Sequence, residues 1–196
     1  MKSKLKLFEI NNLFNQFNVR LPLDEKVNIF LGENGMGKTT ILNCLYYVLS
    51  GNIEKLNNII FDGISLTFID GEKISINHND ISSYVEDYIY DETNVELGIY
   101  KDKAKKPIGI QNLSSGEKQI ISVFSKLYIE NIEKCIILFD EPELSLSIKW
   151  QNMFLPDVVN SGKCSTLIAV THSPFIFDNE FDDLAKDMGN CLSENE

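Results

Sequence analysis

The eight residues Gly32-Glu33-Asn34-Gly35-Met36-Gly37-Lys38-Thr39 constrain this chain more than any other stretch. They spell G-x-x-x-x-G-K-T, a loop whose glycines let the backbone curl until successive N–H groups point at one anion. Such a loop needs a strand before it and a helix after it. Val27-Asn28-Ile29-Phe30-Leu31 is a short apolar run of β-prone residues, and Thr40 to Leu49 has helical periodicity. The sequence therefore predicts strand, loop and helix in that order, with the positive end of the helix facing bound phosphates. Lys38 is placed to reach the β- and γ-phosphates of a nucleotide and the Thr39 hydroxyl to ligate Mg2+, while Gly32, Asn34, Gly35, Gly37 and Thr40 complete the cradle. A glycine-rich turn that matched by chance would not bring both flanks with it.

A second segment, Cys135-Ile136-Ile137-Leu138-Phe139-Asp140-Glu141, is an uninterrupted apolar run ending in two acids. It reads as a strand buried on both faces of a parallel sheet, with Asp140 at the carboxyl end, where such sheets bind ligands. Asp140 is the candidate to hold Mg2+ through a water, and Glu141 the candidate to orient or deprotonate an attacking water. An ordinary strand end would give the same pattern, and it is the phosphate loop upstream that lends the pair its meaning.

Further along, Leu113-Ser114-Ser115-Gly116-Glu117-Lys118-Gln119 precedes a helical stretch from Glu117 to Ile129. Ser114 or Ser115 can N-cap that helix, with the acid in its first turn. The same residues resemble the signature of ABC-type ATPases, usually L-S-G-G-Q, with Ser115 for the first glycine and Glu117 for the glutamine. The resemblance implies that Ser114, Ser115 and Gly116 grip the γ-phosphate of a nucleotide held by another subunit. Thr171-His172-Ser173-Pro174, after the apolar Thr166–Val170, is similar to the switch-histidine loop of that superfamily, which implies a γ-phosphate contact for His172.

Phosphate loop, signature, Asp-Glu strand and switch histidine follow one another in the order found in ABC-type ATPases, and the resemblance covers nearly the whole chain. Asp140-Glu141-Pro142-Glu143-Leu144-Ser145-Leu146-Ser147 lacks the Ser-Ala-Leu-Asp of transporter ATPases. It is similar instead to the D-E-P-E-L-S-L-H run of soluble ATPases related to the overcoming-lysogenization-defect (OLD), SMC and DNA-repair proteins, with Ser147 for the usual histidine. That branch includes ATPase subunits of bacterial anti-phage systems. ABC proteins also carry a glutamine between phosphate loop and signature, yet no Gln lies between Thr40 and Ile110. Asn77, His78, Asn79 or Asp80 are the candidates for that place, and His78 reads as a surface residue.

The implied fold class is α/β: a P-loop NTPase, an ABC-type ATPase head with a mostly parallel core sheet, an N-terminal antiparallel β subdomain and a short α/β arm. A single domain 1–196 is expected, with the N-terminal sheet and phosphate loop in 1–50, the arm in 51–112, and signature, Asp-Glu strand and switch histidine in 113–196. Leu5–Ile10 and Phe17–Leu21 alternate in polarity and read as two antiparallel strands. In ABC proteins an aromatic of that sheet stacks on adenine, which makes Phe14 and Phe17 candidates, with core packing equally open to either. The arm shows no sustained heptads, so no long coiled-coil lever is expected. After His172 the chain runs only to Glu196, ending in an acidic tail, and no room for the nuclease domain of OLD proteins is expected.

Composition narrows the function classes. At 196 residues and 43% hydrophobic content one continuous core is affordable. No apolar run is long enough to cross a bilayer and Met1-Lys2-Ser3-Lys4 opens no signal peptide, so no membrane insertion and a cytoplasmic location are expected. Cys44, Cys135, Cys164 and Cys191 share no metal-ligand spacing and read as buried thiols. Net charge is −11 and Arg20 is the only arginine, so direct nucleic-acid binding is not expected of the isolated chain. Lys101, Lys103, Lys105 and Lys106 form one local basic patch, for which a plain solvated face is the simplest account. The resemblance implies ATP and Mg2+ as cofactors, a head-to-tail homodimer around two nucleotides, and a separate effector chain, a toxin or nuclease. A transporter ATPase and a DNA-repair accessory are the alternatives.

Overall fold

The computed structural model describes residues 4–83, 99–100, 107–108, 113–129 and 134–194. The chain divides into two compact units, residues 1–85 with 133–196, and residues 86–132. The lysines at 101, 103, 105 and 106 lie outside the described residues.

The first unit opens with strands β1 (Leu5–Leu13) and β2 (Phe17–Pro22), a hairpin whose turn is built on left-handed residues. Asn12, Phe14 and Asn15 have φ near +55°, and the Asn15 and Gln16 N–H groups close the turn on the carbonyls of Asn12 and Leu13. Asparagine tolerates that backbone region better than most residues. Strand β3 (Val27–Leu31) leads through the phosphate loop into helix α1 (Lys38–Ser50). A 3-10 turn at Ile53–Asn58, strands β4 (Gly63–Phe68) and β5 (Lys73–Asn77) and a second 3-10 turn at His78–Ser83 follow. In the second unit, β6 (Ile99–Tyr100) and β7 (Pro107–Ile108) pair antiparallel, and α2 spans Ser115–Ile129. The first unit resumes with β8 (Cys135–Asp140), α3 (Ile148–Asn160), β9 (Cys164–Thr171), β10 (Ala185–Asp187) and β11 (Leu192–Glu194).

Two sheets result. An antiparallel sheet has the order β11-β2-β1-β4-β5, and a parallel sheet the order β10-β3-β9-β8. Phe8, Ile10 and Leu13 of β1 turn inward with Val19 and Leu21 of β2, and meet Ile41, Cys44 and Leu45 of α1. Helix α1 also covers one face of the parallel sheet, where Phe30, Ile168 and Val170 join the same core. Helix α3 packs on the other face, with Phe154 against Phe139 at 5.2 Å between ring centroids. The two-residue period of a strand thus serves both helices, which is why these strands read as continuous apolar runs.

Three expectations are corrected. Strand β8 has helices on both faces, but as the edge of the four described strands its residues Cys135–Phe139 are half-buried rather than buried. His78 is not a plain surface residue: its ring packs edge-on to Phe61 at 5.0 Å and is half-buried. The stretch after His172, for which no strand was expected beyond an acidic end, supplies β10 to the parallel sheet and β11 to the antiparallel one.

Candidate nucleotide site

Strand pairing decides which loops meet. Leu31 of β3 is paired with Thr171 of β9, and Val170 of β9 with Asp140 of β8. The phosphate loop, the switch loop and the acidic pair therefore leave the parallel sheet side by side at its carboxyl edge, the crevice that binds ligands in open α/β sheets. A hydrogen bond from the Gly32 N–H to the Thr171 carbonyl (3.1 Å) ties the first two together.

Within the loop, Gly35 and Gly37 have φ of 90° and 76°, which only glycine adopts without strain, and Gly37 is the residue from which α1 starts. Gly32 is needed for a different reason: a Cβ there would stand 3.0 Å from Cβ of Met188 and 3.0 Å from Sδ of Met36. Lys38 is 5% exposed and its ammonium donates to the carbonyls of Gly32 (2.7 Å) and Glu33 (2.8 Å), so the cation is held inside its own loop. Thr39 is exposed, Thr40 half-buried and Asn34 exposed. Met36 curls back so that its sulfur accepts from the Glu33 N–H at 3.1 Å.

A cleft of about 520 Å³ opens beside the loop, between Gly32, Glu33 and Met36 on one side and His172, Asp187 and Gly189 on the other. Asp187 and Gly189 follow from β10, with the Gly189 N–H donating to Asp187 Oδ1 at 2.7 Å. Sequence reasoning missed Asp187 and Gly189, because no strand was expected after His172, and Met36, because it is one of the variable positions of the loop motif.

Asp140 ends β8 exposed, and Glu141 follows with φ 47°, a left-handed backbone that is strained for a non-glycine residue. Its N–H donates to the Val170 carbonyl at 2.9 Å and its carbonyl accepts from the Leu144 N–H at 3.1 Å, which fixes that conformation. The Glu141 carboxylate reaches His172, with Oε1 3.6 Å from Nδ1. Glu143 reaches the same nitrogen at 3.3 Å and also accepts the His172 main-chain N–H at 3.1 Å. Glu143 was not singled out from the sequence, since a glutamate two positions beyond the acidic pair carries no signal of being buried. Lys38 at the start of α1, Asp140, Glu141 and His172 are thus carried to one sheet edge.

Ser114, Ser115 and Gly116 belong to the second unit. There the capping alternative is realised by Ser114, whose Oγ accepts from the Glu117 N–H (3.2 Å) while Glu117 Oε2 accepts from the Ser114 N–H (2.9 Å) and hydroxyl (2.9 Å). This reciprocal pair is a capping box. Ser114 and Ser115 remain exposed.

The two aromatic candidates differ. Phe14 lies against the phosphate loop, since a Cβ on Gly37 would stand 3.4 Å from its Cε2. Phe17 packs edge-on to Phe14, with centroids 6.3 Å apart. Among the candidates for the missing glutamine, Asn77 ends β5, while His78 donates its N–H to the Asp62 carbonyl at 3.1 Å.

A family model described as an AAA domain matches residues 4–186. The DNA replication and repair protein RecF of Clostridium tetani is 24% identical over 146 residues, covering 72% of this chain and 33% of that protein. The ribose import ATP-binding protein RbsA of Lacticaseibacillus paracasei is 26% identical over 176 residues, covering 75% of this chain and 33% of that protein. The chain thus spans about a third of the length of these curated relatives. In structure it is similar to the SMC head domain from Thermotoga maritima, with a TM-score of 0.55, 16% identity, and 98% and 99% of the two chains covered. The fold is accordingly that of an SMC-like head, an antiparallel sheet joined to a parallel P-loop sheet. With the phosphate loop built and the match running from residue 4 to residue 186, the chain belongs to the AAA-domain family of P-loop ATPases.

Proposed function

We propose that this chain is a Mg-dependent ATPase, hydrolysing ATP to ADP and phosphate, that works as a head-to-tail dimer and controls a separate effector chain. The observation that carries the reading is the convergence at one sheet edge of a buried Lys38 ammonium, the Asp140 and Glu141 carboxylates and His172, the last 3.6 Å from Glu141. The donor set fits the ligand: a lysine ammonium held within a glycine-rich loop at the start of a helix suits a polyphosphate, and the exposed Thr39 hydroxyl and Asp140 carboxylate are the hard oxygen donors that Mg2+ takes.

On this reading Lys38 and the N–H groups of the loop from Asn34 to Thr40 bind the phosphates. Thr39 and Asp140 would hold Mg2+, which would supply positive charge against the phosphates. Glu141 orients and deprotonates the attacking water, and His172 contacts the γ-phosphate. Ser114, Ser115 and Gly116 of a second copy complete the donor set, so a lone protomer binds ATP and turns it over slowly. Closing on ATP and opening after hydrolysis shift the effector between two states.

For the effector, the residues 140–147 resemble soluble ATPases of anti-phage systems, which favours a toxin or nuclease in bacterial defence. A second reading, a DNA-repair accessory, is favoured by the similarity to RecF. A transporter ATPase is favoured by the similarity to RbsA and opposed by the missing glutamine.

The test is molecular mass in solution with Mg-ATP, together with phosphate release, for the native chain and Glu141→Gln. An ATP-dependent dimer that accumulates in Glu141→Gln as turnover is lost supports the proposal. Turnover by a persistent monomer overturns the dimer mechanism. Adding DNA ends to the same assay separates the settings, because stimulation is expected only of a repair role.

A further inference from the structure

Glu143 is 5% exposed, and an ionisable side chain so buried is held by whatever bonds it. One oxygen does all the bonding: Oε1 accepts the His172 main-chain N–H at 3.1 Å and stands 3.3 Å from His172 Nδ1, while Oε2 is buried with no hydrogen-bond partner among the described residues. The Glu141 carboxylate approaches the same ring nitrogen at 3.6 Å. Nδ1 carries at most one proton, so it can donate to only one of the two carboxylates at a time.

We infer that Glu143 is a positioning residue for hydrolysis: it anchors His172 through the main chain and Nδ1, so that Nε2 is the nitrogen left to face the nucleotide and Glu141 is left to act on water. The inference rests on the ATPase reading of this site. The shorter approach and the second bond to the main chain favour Glu143 over Glu141 as the partner of Nδ1. A carboxylate that fixes the ring and tautomer of a working histidine is a recurring device, because it leaves the other nitrogen defined.

The surroundings hold Glu143 for this task. Gln151 of α3 donates to the carbonyls of Leu146 (3.0 Å) and Glu143 (3.4 Å), and its Oε1 accepts from the Ser173 hydroxyl at 2.8 Å. One side chain therefore clamps both the turn that carries Glu143 and the loop that carries His172. Without Glu143, Glu141 is the carboxylate left for the Nδ1 N–H to donate to, and that hydrogen bond engages the general base.

A plain structural tie between two loops would show the same contacts, so the experiment must read the imidazole. Native chain, Glu143→Gln, Glu143→Ala, His172→Ala and the double variant Glu143→Ala/His172→Ala are compared for steady-state hydrolysis and for binding of a fluorescent ATP analogue. The expected result is a loss in kcat of roughly 10- to 100-fold for Glu143→Ala, the range typical of partners that orient a working histidine, with nucleotide affinity kept. Glu143→Gln keeps an acceptor and recovers part of the rate. The double variant is no slower than His172→Ala, because the two residues act as one unit. Equal losses from Glu143→Ala with and without His172, or a loss confined to nucleotide affinity, overturn the inference.

A second arm needs no turnover. The chain has two histidines, so 15N spectra of labelled histidine, assigned with His172→Ala, report the His172 tautomer directly. A proton on Nδ1 in the native chain that is redistributed in Glu143→Ala supports the inference, and a His172 signal unaffected by Glu143→Ala overturns it. If the native chain does not hydrolyse ATP, the hydrolytic role falls with the ATPase reading, and this arm alone decides whether Glu143 fixes the ring.

Discussion

The ammonium of Lys38 stands 2.7 Å from the carbonyl oxygen of Gly32, at the far end of the loop that Lys38 closes. Together with the bond to Glu33, this makes the lysine a brace for the loop before any nucleotide arrives. Lys38→Ala is expected to lower hydrolysis by at least about 10²-fold, the scale seen when one positioned donor to a developing charge is removed. It is also expected to lower stability without nucleotide by about 1–2 kcal/mol, because two carbonyls lose a charged donor. Urea unfolding of the nucleotide-free chain checks the second part; an unchanged midpoint would show that Lys38 braces nothing.

Gly37 has φ 76° and adjoins the Phe14 ring. Gly37→Ala forces a methyl group into left-handed backbone, at about 1–2 kcal/mol, and presses on Phe14. Lower thermal stability and weaker ATP binding are expected together. A melting temperature equal to that of the native chain would mean that the loop relaxes to another conformation.

Phe14 lies beside Gly37 of the phosphate loop, and Phe17 packs against Phe14. If the base of the nucleotide stacks in this region, Phe14→Ala weakens ATP binding by roughly tenfold, a stacking contact being worth about 1–3 kcal/mol. Phe17→Ala then acts on stability more than on affinity. Isothermal titration of both variants decides between the two rings, and the reverse ranking would move the adenine contact to Phe17.

The capping box separates two roles within the signature. Glu117→Ala removes the acceptor for the Ser114 N–H and hydroxyl and is expected to lower stability by about 1 kcal/mol. Ser115→Arg leaves the box intact and is expected to abolish hydrolysis at unchanged stability. Hydrolysis that survives Ser115→Arg would remove the signature from the chemistry and leave it a helix cap.

Cys44 is fully buried on α1, and burial pushes its thiol up from 9.0 to about 12. Burial likewise pushes Cys164 to about 11, with neighbouring Cys135 adding to the rise. In the unfolded chain these thiols ionise once pH passes about 9, while the folded core keeps them protonated. Their stabilising contribution is therefore complete below about pH 9 and is lost as pH rises toward the folded values. Melting temperatures between about pH 8 and pH 10.5 should fall, and fall less steeply in Cys44→Ala; parallel curves for the two proteins would refute the linkage.

The apolar runs Val27–Leu31, Cys135–Phe139 and Thr166–Val170 announced three strands of the parallel sheet because buried strands show almost no polar interruption. Lys38, Asp140, Glu141 and His172 were legible because each follows such a run or a glycine-rich loop. Glu143 was not, since its burial comes from the sharp turn that Glu141 and Ser145 make with positive φ, which local sequence does not display. Strands β10 and β11 escaped for another reason. Ala185-Lys186-Asp187 and Leu192-Ser193-Glu194 are too short and polar to carry a period, and only their pairing with β3 and β2 makes them strands.

Those two short strands also set an order of events. The phosphate loop is made early, yet β3, from which it springs, is flanked by β9 and β10, both from near the far end of the sequence. During synthesis the loop therefore emerges with neither neighbour in place. Contacts between residues so distant along the chain form late and slowly. The strand that carries the phosphate loop thus gains both its neighbours only when residues 164–187 join it, so the loop's frame closes last.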